Sequence, residues 1–134
     1  MKKNLILALL FSSLLGVDGY DVYKKNCASC HAESMSRDEA KRNIKTLKAP
    51  PMVEVSNRLK ENISISDGDE DVKRRVVIAF IKDYIVNPNI DYSMCHMGAL
   101  ERFDVMPSLK GTISDDEKDA VSTWVYDRYE NVKF

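Results

Sequence analysis

The sequence predicts an all-α domain on three observations. Apolar residues return at helical spacing in several stretches, serine-led capping patterns and prolines mark where those stretches start and stop, and no stretch alternates like a strand. With 134 residues, 44% hydrophobic and 31% charged, the chain suits one compact domain plus a targeting segment and is too apolar for a disordered tail. It holds no internal repeat or low-complexity tract.

Residues 1–19 begin with Lys2 and Lys3 and run through an apolar stretch from Leu5 to Leu15, broken only by Ser12 and Ser13, which reads as a bacterial secretory signal. That stretch is far short of the roughly 20 residues a bilayer-spanning helix needs, so no membrane span is expected in the mature form. Val17 and Gly19 are small enough for cleavage before Tyr20, giving a signal peptide of 1–19 and a domain of 20–134; a cut after Gly16 is the alternative. No cysteine follows directly, as lipoprotein processing requires. Export implies a periplasmic location, an oxidising compartment in which Cys27, Cys30 and Cys95 are expected to be paired or otherwise consumed. Twenty basic against 21 acidic residues, net −1, give no electrostatic case for nucleic acid or an anionic membrane.

The first helix is expected from about Asp21 into the Cys27 region, with Val22, Tyr23 and Cys27 near one face. A second starts at Ser36, where Glu39 completes a capping box, carries Ala40, Ile44 and Leu47 on its apolar side, and is stopped by Pro50 and Pro51. A short helix follows through Val55 and Leu59. The clearest periodicity is Val72, Val76, Val77, Phe80, Ile81, Tyr84 and Ile85, led by the acidic "DGDED" and ended by Asn87 and Pro88; it predicts a continuous buried stripe. A less regular region with a short helix through Leu100 and Phe103 comes next. The last helix opens on a Ser114–Glu117 capping box, with Asp115 and Asp116 at its positive end and Ala120, Val121, Trp124, Val125 and Tyr129 at core spacing.

The strongest chemical signal is "CASCH", Cys27 to His31. Two thiols three positions apart can add to the two vinyl groups of one haem, and the adjoining histidine can then reach the iron. A Cys27–Cys30 disulfide and half of a zinc site compete. Zinc wants four ligands and no second pair is present, while a thioredoxin-like redox pair belongs beside a strand-rich fold. Haem attachment consumes two thiols and leaves Cys95. It is either a buried, unreactive thiol or one that is redox-sensitive or permits a disulfide-linked dimer.

On "CASCH", the loop "FDVMPSL" and the terminal "SDDEKDAVSTWVYD", the chain resembles a small class I c-type cytochrome. Both ends match; the middle, about residues 32 to 90, agrees only in being helical. The resemblance implies a cytochrome c-like fold, several helices around one covalently attached haem c, with a final aromatic-containing helix packed across the first. It places Gly19 and Tyr23 at a helix-contact glycine and an aromatic, with Tyr23 expected against Trp124. His31 is then the proximal ligand, and a loop proline carbonyl holds its second ring nitrogen; of Pro50 and Pro51, Pro51 is expected to serve, with Met52 covering the haem edge. For the other axial position the candidates are Met35, Met52, Met94, His96, Met97 and Met106. Met106 matches the methionine-proline loop and His96 is the reserve. A second haem bonded once at "YSMCH" lacks its partner cysteine, because Tyr92 stands there.

With both axial positions filled, the expected activity is outer-sphere electron transfer between redox proteins, without enzymatic catalysis. The alternatives are a haem-bearing relay subunit of a larger oxidoreductase, or a gas-sensing or peroxidatic haem with a displaceable sixth ligand. Lys24, Lys25, Arg102 and Lys110 are candidates for a cationic ring steering an acidic partner.

Overall fold

A computed structural model describes residues 16–134. Among the described residues there are six α-helices, one 3₁₀ turn at Ile90–Tyr92 and no strand. The helices are α1 (Gly19–Asn26), α2 (Arg37–Asn43), α3 (Met52–Asn62), α4 (Glu70–Tyr84), α5 (Met97–Phe103) and α6 (Asp115–Asp127). Both predicted capping boxes form: Ser36 and Glu39 close the start of α2, and Ser114 and Glu117 close the start of α6. Asp69, inside the acidic run, caps α4 by accepting from the amides of Asp71 and Val72.

Helix α6 is the hub against which α1, α3 and α4 pack. Its crossing with α1 is unusually close because Gly19 has no side chain: a Cβ there would stand 2.3 Å from the Ala120 carbonyl oxygen and 2.5 Å from Trp124 Cβ. One turn on, Tyr23 stacks on Trp124 as expected, with ring centroids 4.7 Å apart, and Tyr129 meets the indole edge-on at 5.9 Å. The Ser56 hydroxyl of α3 donates to the Val125 carbonyl, and Arg74 of α4 forms a two-pronged ion pair with Asp127. Val22, Tyr23, Val53, Leu59, Val77, Ile81, Val121, Val125 and Tyr129 form the common core.

The structure departs from expectation at three places. The 1–19 leader lies mostly outside the described residues, but its last members do not. Helix α1 starts at Gly19, ahead of the expected Asp21: Asp18 caps it by accepting from the Asp21 amide, and Gly19 makes the contact with α6. Helix α2 stops at Asn43 instead of running to Pro50. The amides of Thr46 and Leu47 and the Thr46 hydroxyl all turn back onto the Asn43 carbonyl, which leaves Ile44 exposed. The α4 stripe is not continuous: Val77 is buried in the core, Ile81 is buried where the core meets a cleft that Phe80 and Tyr84 also line, and Val76 is exposed. A stripe seven residues wide spans more of a helix than one neighbour can cover, so it divides between two environments.

Two outcomes follow. Gly19→Ala forces α1 off backbone atoms that cannot rotate away, and is expected to cost about 1–3 kcal/mol in denaturant unfolding, as overpacking does. Glu117 is held down to about 2 by the Lys25 ammonium, then by the Ser114 amide. Its folded pKa lies below the unfolded one, so its stabilisation is present above the ordinary carboxylate value of 4.5 and lost as pH falls toward 2. Denaturant midpoints of Glu117→Gln are expected to fall below wild type at pH 7 and to converge with it near pH 2.

Candidate functional site

Helix α1 ends at the attachment motif. The amides of Cys30 and His31 both donate to the Cys27 carbonyl, at 3.1 and 2.9 Å, so the chain makes one tight turn that puts Cys27, Cys30 and His31 on the wall of a single cleft. Two tyrosine hydroxyls tie this turn to the core. Tyr23 donates to the His31 carbonyl and Tyr129 to the Glu33 carbonyl, each at 2.6 Å. Burial, with the Glu33 carboxylate adding to it, pushes the Tyr23 phenol up to about 12, so it stays a donor across the physiological range. Tyr129 was expected only as core packing. Its hydroxyl acts on a residue 96 positions away, which helical periodicity cannot reveal.

No disulfide joins Cys27, Cys30 and Cys95. Burial, with the neighbouring Cys30 thiol adding to it, pushes Cys27 up to about 11, so it is a protonated, half-buried thiol while Cys30 and Cys95 are exposed. Cys95 stands on the wall of the cleft and not within the packed core.

The His31 ring is fixed by one bond. Nδ1 lies 2.7 Å from the Pro50 carbonyl oxygen, and since a carbonyl can only accept, Nδ1 carries the proton and Nε2 keeps its lone pair. Burial depresses the ring's basicity, against the opposing pull of Pro50, which favours the neutral imidazole that binds metal. The acceptor is thus Pro50 and not Pro51. The Pro51 carbonyl is committed to the Val55 amide in the first turn of α3, for which Pro51 is the N-cap. Met52, just inside that helix, donates its amide to the Ala32 carbonyl, so it belongs to the His31 side of the cleft.

The cleft offers about 230 Å³ of space, far beyond the ~10–15 Å³ that one water needs, and its lining is mostly apolar. Met52, Met94 and Met106 line it; Met35 and Met97 do not, and Met97 is 65% exposed. Met106 sits on the loop between α5 and α6, held at both ends. On one side Asp104 turns the chain through a positive φ of 62°. On the other the Ser108 hydroxyl donates to the Val86 carbonyl and the Leu109 amide to the Ile85 carbonyl.

His96 also lines the cleft, in the opposite electronic state from His31. It is the N-cap of α5, and its Nδ1 accepts from the Gly98 amide at 3.1 Å, which puts the proton of the neutral ring on Nε2. Its free lone pair is used on the helix, so serving as reserve ligand requires uncapping α5. Of the cationic ring, Lys24 pairs with Asp21, Lys25 with Glu117, and Arg102 donates to two backbone carbonyls.

The donor set fits a covalently attached haem. Two unpaired thiols, a neutral imidazole with a free Nε2 and a thioether on a pinned loop share one apolar cleft. A protein of Aquifex aeolicus (strain VF5), described as uncharacterized, is 35% identical over 143 residues, covering 96% of this chain and 89% of its own length. No solved structure matches. The family described as cytochrome c oxidase, cbb3-type, subunit III matches residues 16–125, and the chain belongs to that family of cytochrome c domains.

Proposed function

We propose that the protein is a periplasmic electron carrier holding one covalent haem c through Cys27 and Cys30, with His31 and Met106 as axial ligands. The observation that carries this reading is the His31 ring, oriented by Pro50 with Nε2 free, in the cleft that Met106 also lines. A haem bound there supplies a one-electron iron couple, which thioether ligation and a dry surrounding shift toward the reduced state.

The chain's own residues perform three tasks. Pro50 holds the imidazole in one tautomer and orientation, so nothing at that position rearranges when charge changes. Met52, Phe80, Ile81, Leu100 and Val125 exclude water, which keeps the site at low dielectric. The Met106 loop, anchored through Ser108 and Leu109, would offer a neutral soft ligand to a haem in the cleft. With His31 and Met106 both serving as ligands, a haem held here would leave no place for a substrate at the metal, and the protein would meet redox partners briefly over a small interface. The family's description favours a second reading, in which the chain is the haem-bearing relay subunit of a larger oxidoreductase. Co-purification with a larger enzyme distinguishes it from a free carrier.

The leader reading is kept, with the cut after Gly16, because a cut before Tyr20 deletes the α1 cap and the Gly19 contact. Intact mass of the exported protein is expected to equal residues 17–134 plus one haem. A mass beginning at Tyr20, or lacking haem, contradicts it. The sulfur-to-iron absorption band of the oxidised protein is expected to vanish in Met106→Ala and survive in His96→Ala. Carbon monoxide is expected to bind the reduced Met106→Ala protein tightly at neutral pH and the wild type weakly; tight binding by wild type favours a gas-sensing haem instead.

A further inference from the structure

Arg102 lies at the end of α5, two residues before Asp104 and four before Met106. Its Nη2 donates to the carbonyls of Ile44 and Lys45, at 3.1 and 3.0 Å, and its guanidinium lies 5.3 Å from the centroid of Phe103, which lines the cleft. Those two carbonyls sit just past the end of α2, where the last turn leaves acceptors without helical donors and a cation is favoured. The segment from Ile44 leads directly to Lys48, Ala49 and Pro50, all on the cleft wall, and Pro50 holds His31. Few other side-chain bonds cross between these halves: Asn62 to the Met94 carbonyl acts further back, and Ser108 anchors the far end of the Met106 loop to the Val86 carbonyl just past α4.

We infer that Arg102 is a positioning residue, a clasp that joins the methionine side of the cleft to the histidine side and keeps Met106 seated. The inference rests on Met106 being the sixth ligand. A side chain that served only to attract an acidic partner has no need of two backbone acceptors 57 and 58 residues away. With the clasp open, α5 keeps the Asn62 bond ahead of its start but loses its tie to the histidine side at its end, the Met106 loop loses its anchor on that side, and the fraction of molecules with Met106 unseated rises. An outside ligand reads that fraction directly, since its apparent dissociation constant is its intrinsic one divided by the open fraction.

The test uses purified oxidised holoprotein titrated with imidazole and followed by visible absorption. Arg102→Gln is expected to bind imidazole about five- to tenfold more tightly than wild type, the scale of losing charge-assisted hydrogen bonds at a partly solvated site. Arg102→Lys, which keeps the charge and the donors, is expected to restore most of the difference. Met106→Ala run in parallel is expected to exceed both; if it binds imidazole no better than wild type, the ligand assignment fails before the clasp is judged. Arg74→Gln breaks an ion pair of similar exposure between α4 and α6, away from the loop, and is expected to lower the denaturant midpoint without changing imidazole affinity. Wild-type affinity in Arg102→Gln overturns the clasp, as does an equal gain in Arg74→Gln.

Discussion

The contact on which the rest of the structure depends is the bare approach of Gly19 to Ala120 and Trp124. It lets α1 lie directly on α6, and that closeness brings Tyr23 onto the Trp124 ring. Stacked there, Tyr23 aims its hydroxyl at the His31 carbonyl, while Tyr129, beyond the end of α6, reaches Glu33. The attachment turn is therefore suspended from the helix crossing by two buried phenols. Any side chain at position 19 moves the origin of that chain of contacts, although it touches nothing in the cleft.

From this frame the two histidines acquire opposite states without any difference in residue type. A carbonyl opposite Nδ1 leaves His31 with its lone pair directed elsewhere, and an amide opposite Nδ1 leaves His96 with its lone pair occupied. Backbone polarity thus selects between ligand and helix cap. Uncapping α5 costs about 0.5–2 kcal/mol, a modest barrier. His96 is accordingly a poorer competitor for iron than its residue type suggests, and its proximity to the cleft serves the helix that leads to Met106.

Local patterns made much of this legible in the sequence. The spacing of Cys27, Cys30 and His31, both capping boxes, the Tyr23–Trp124 pair and the Met106–Pro107 loop are signals carried within a few residues or by family resemblance. The choice between Pro50 and Pro51 was not legible. It turns on which carbonyl the first turn of α3 claims, and the start of that helix is not fixed by side-chain type. The exposure of Val76 depends on how much of α4 its neighbours cover, and the anchoring roles of Tyr129 and Arg102 join residues 96 and 57 to 58 positions apart. Such contacts follow from the packing of α1 on α6 and of α5 beside α2's end, which periodicity does not encode.

The central claim is that His31 and Met106 share one iron across this cleft. Methyl-labelled methionine in the reduced protein, observed by nuclear magnetic resonance, tests it most directly, because a thioether on haem iron places its methyl group above the ring current. A single methyl resonance displaced far upfield and assigned to Met106 is the predicted result. A displaced resonance that belongs to Met94 or Met52, or no displaced methionine at all, contradicts the account.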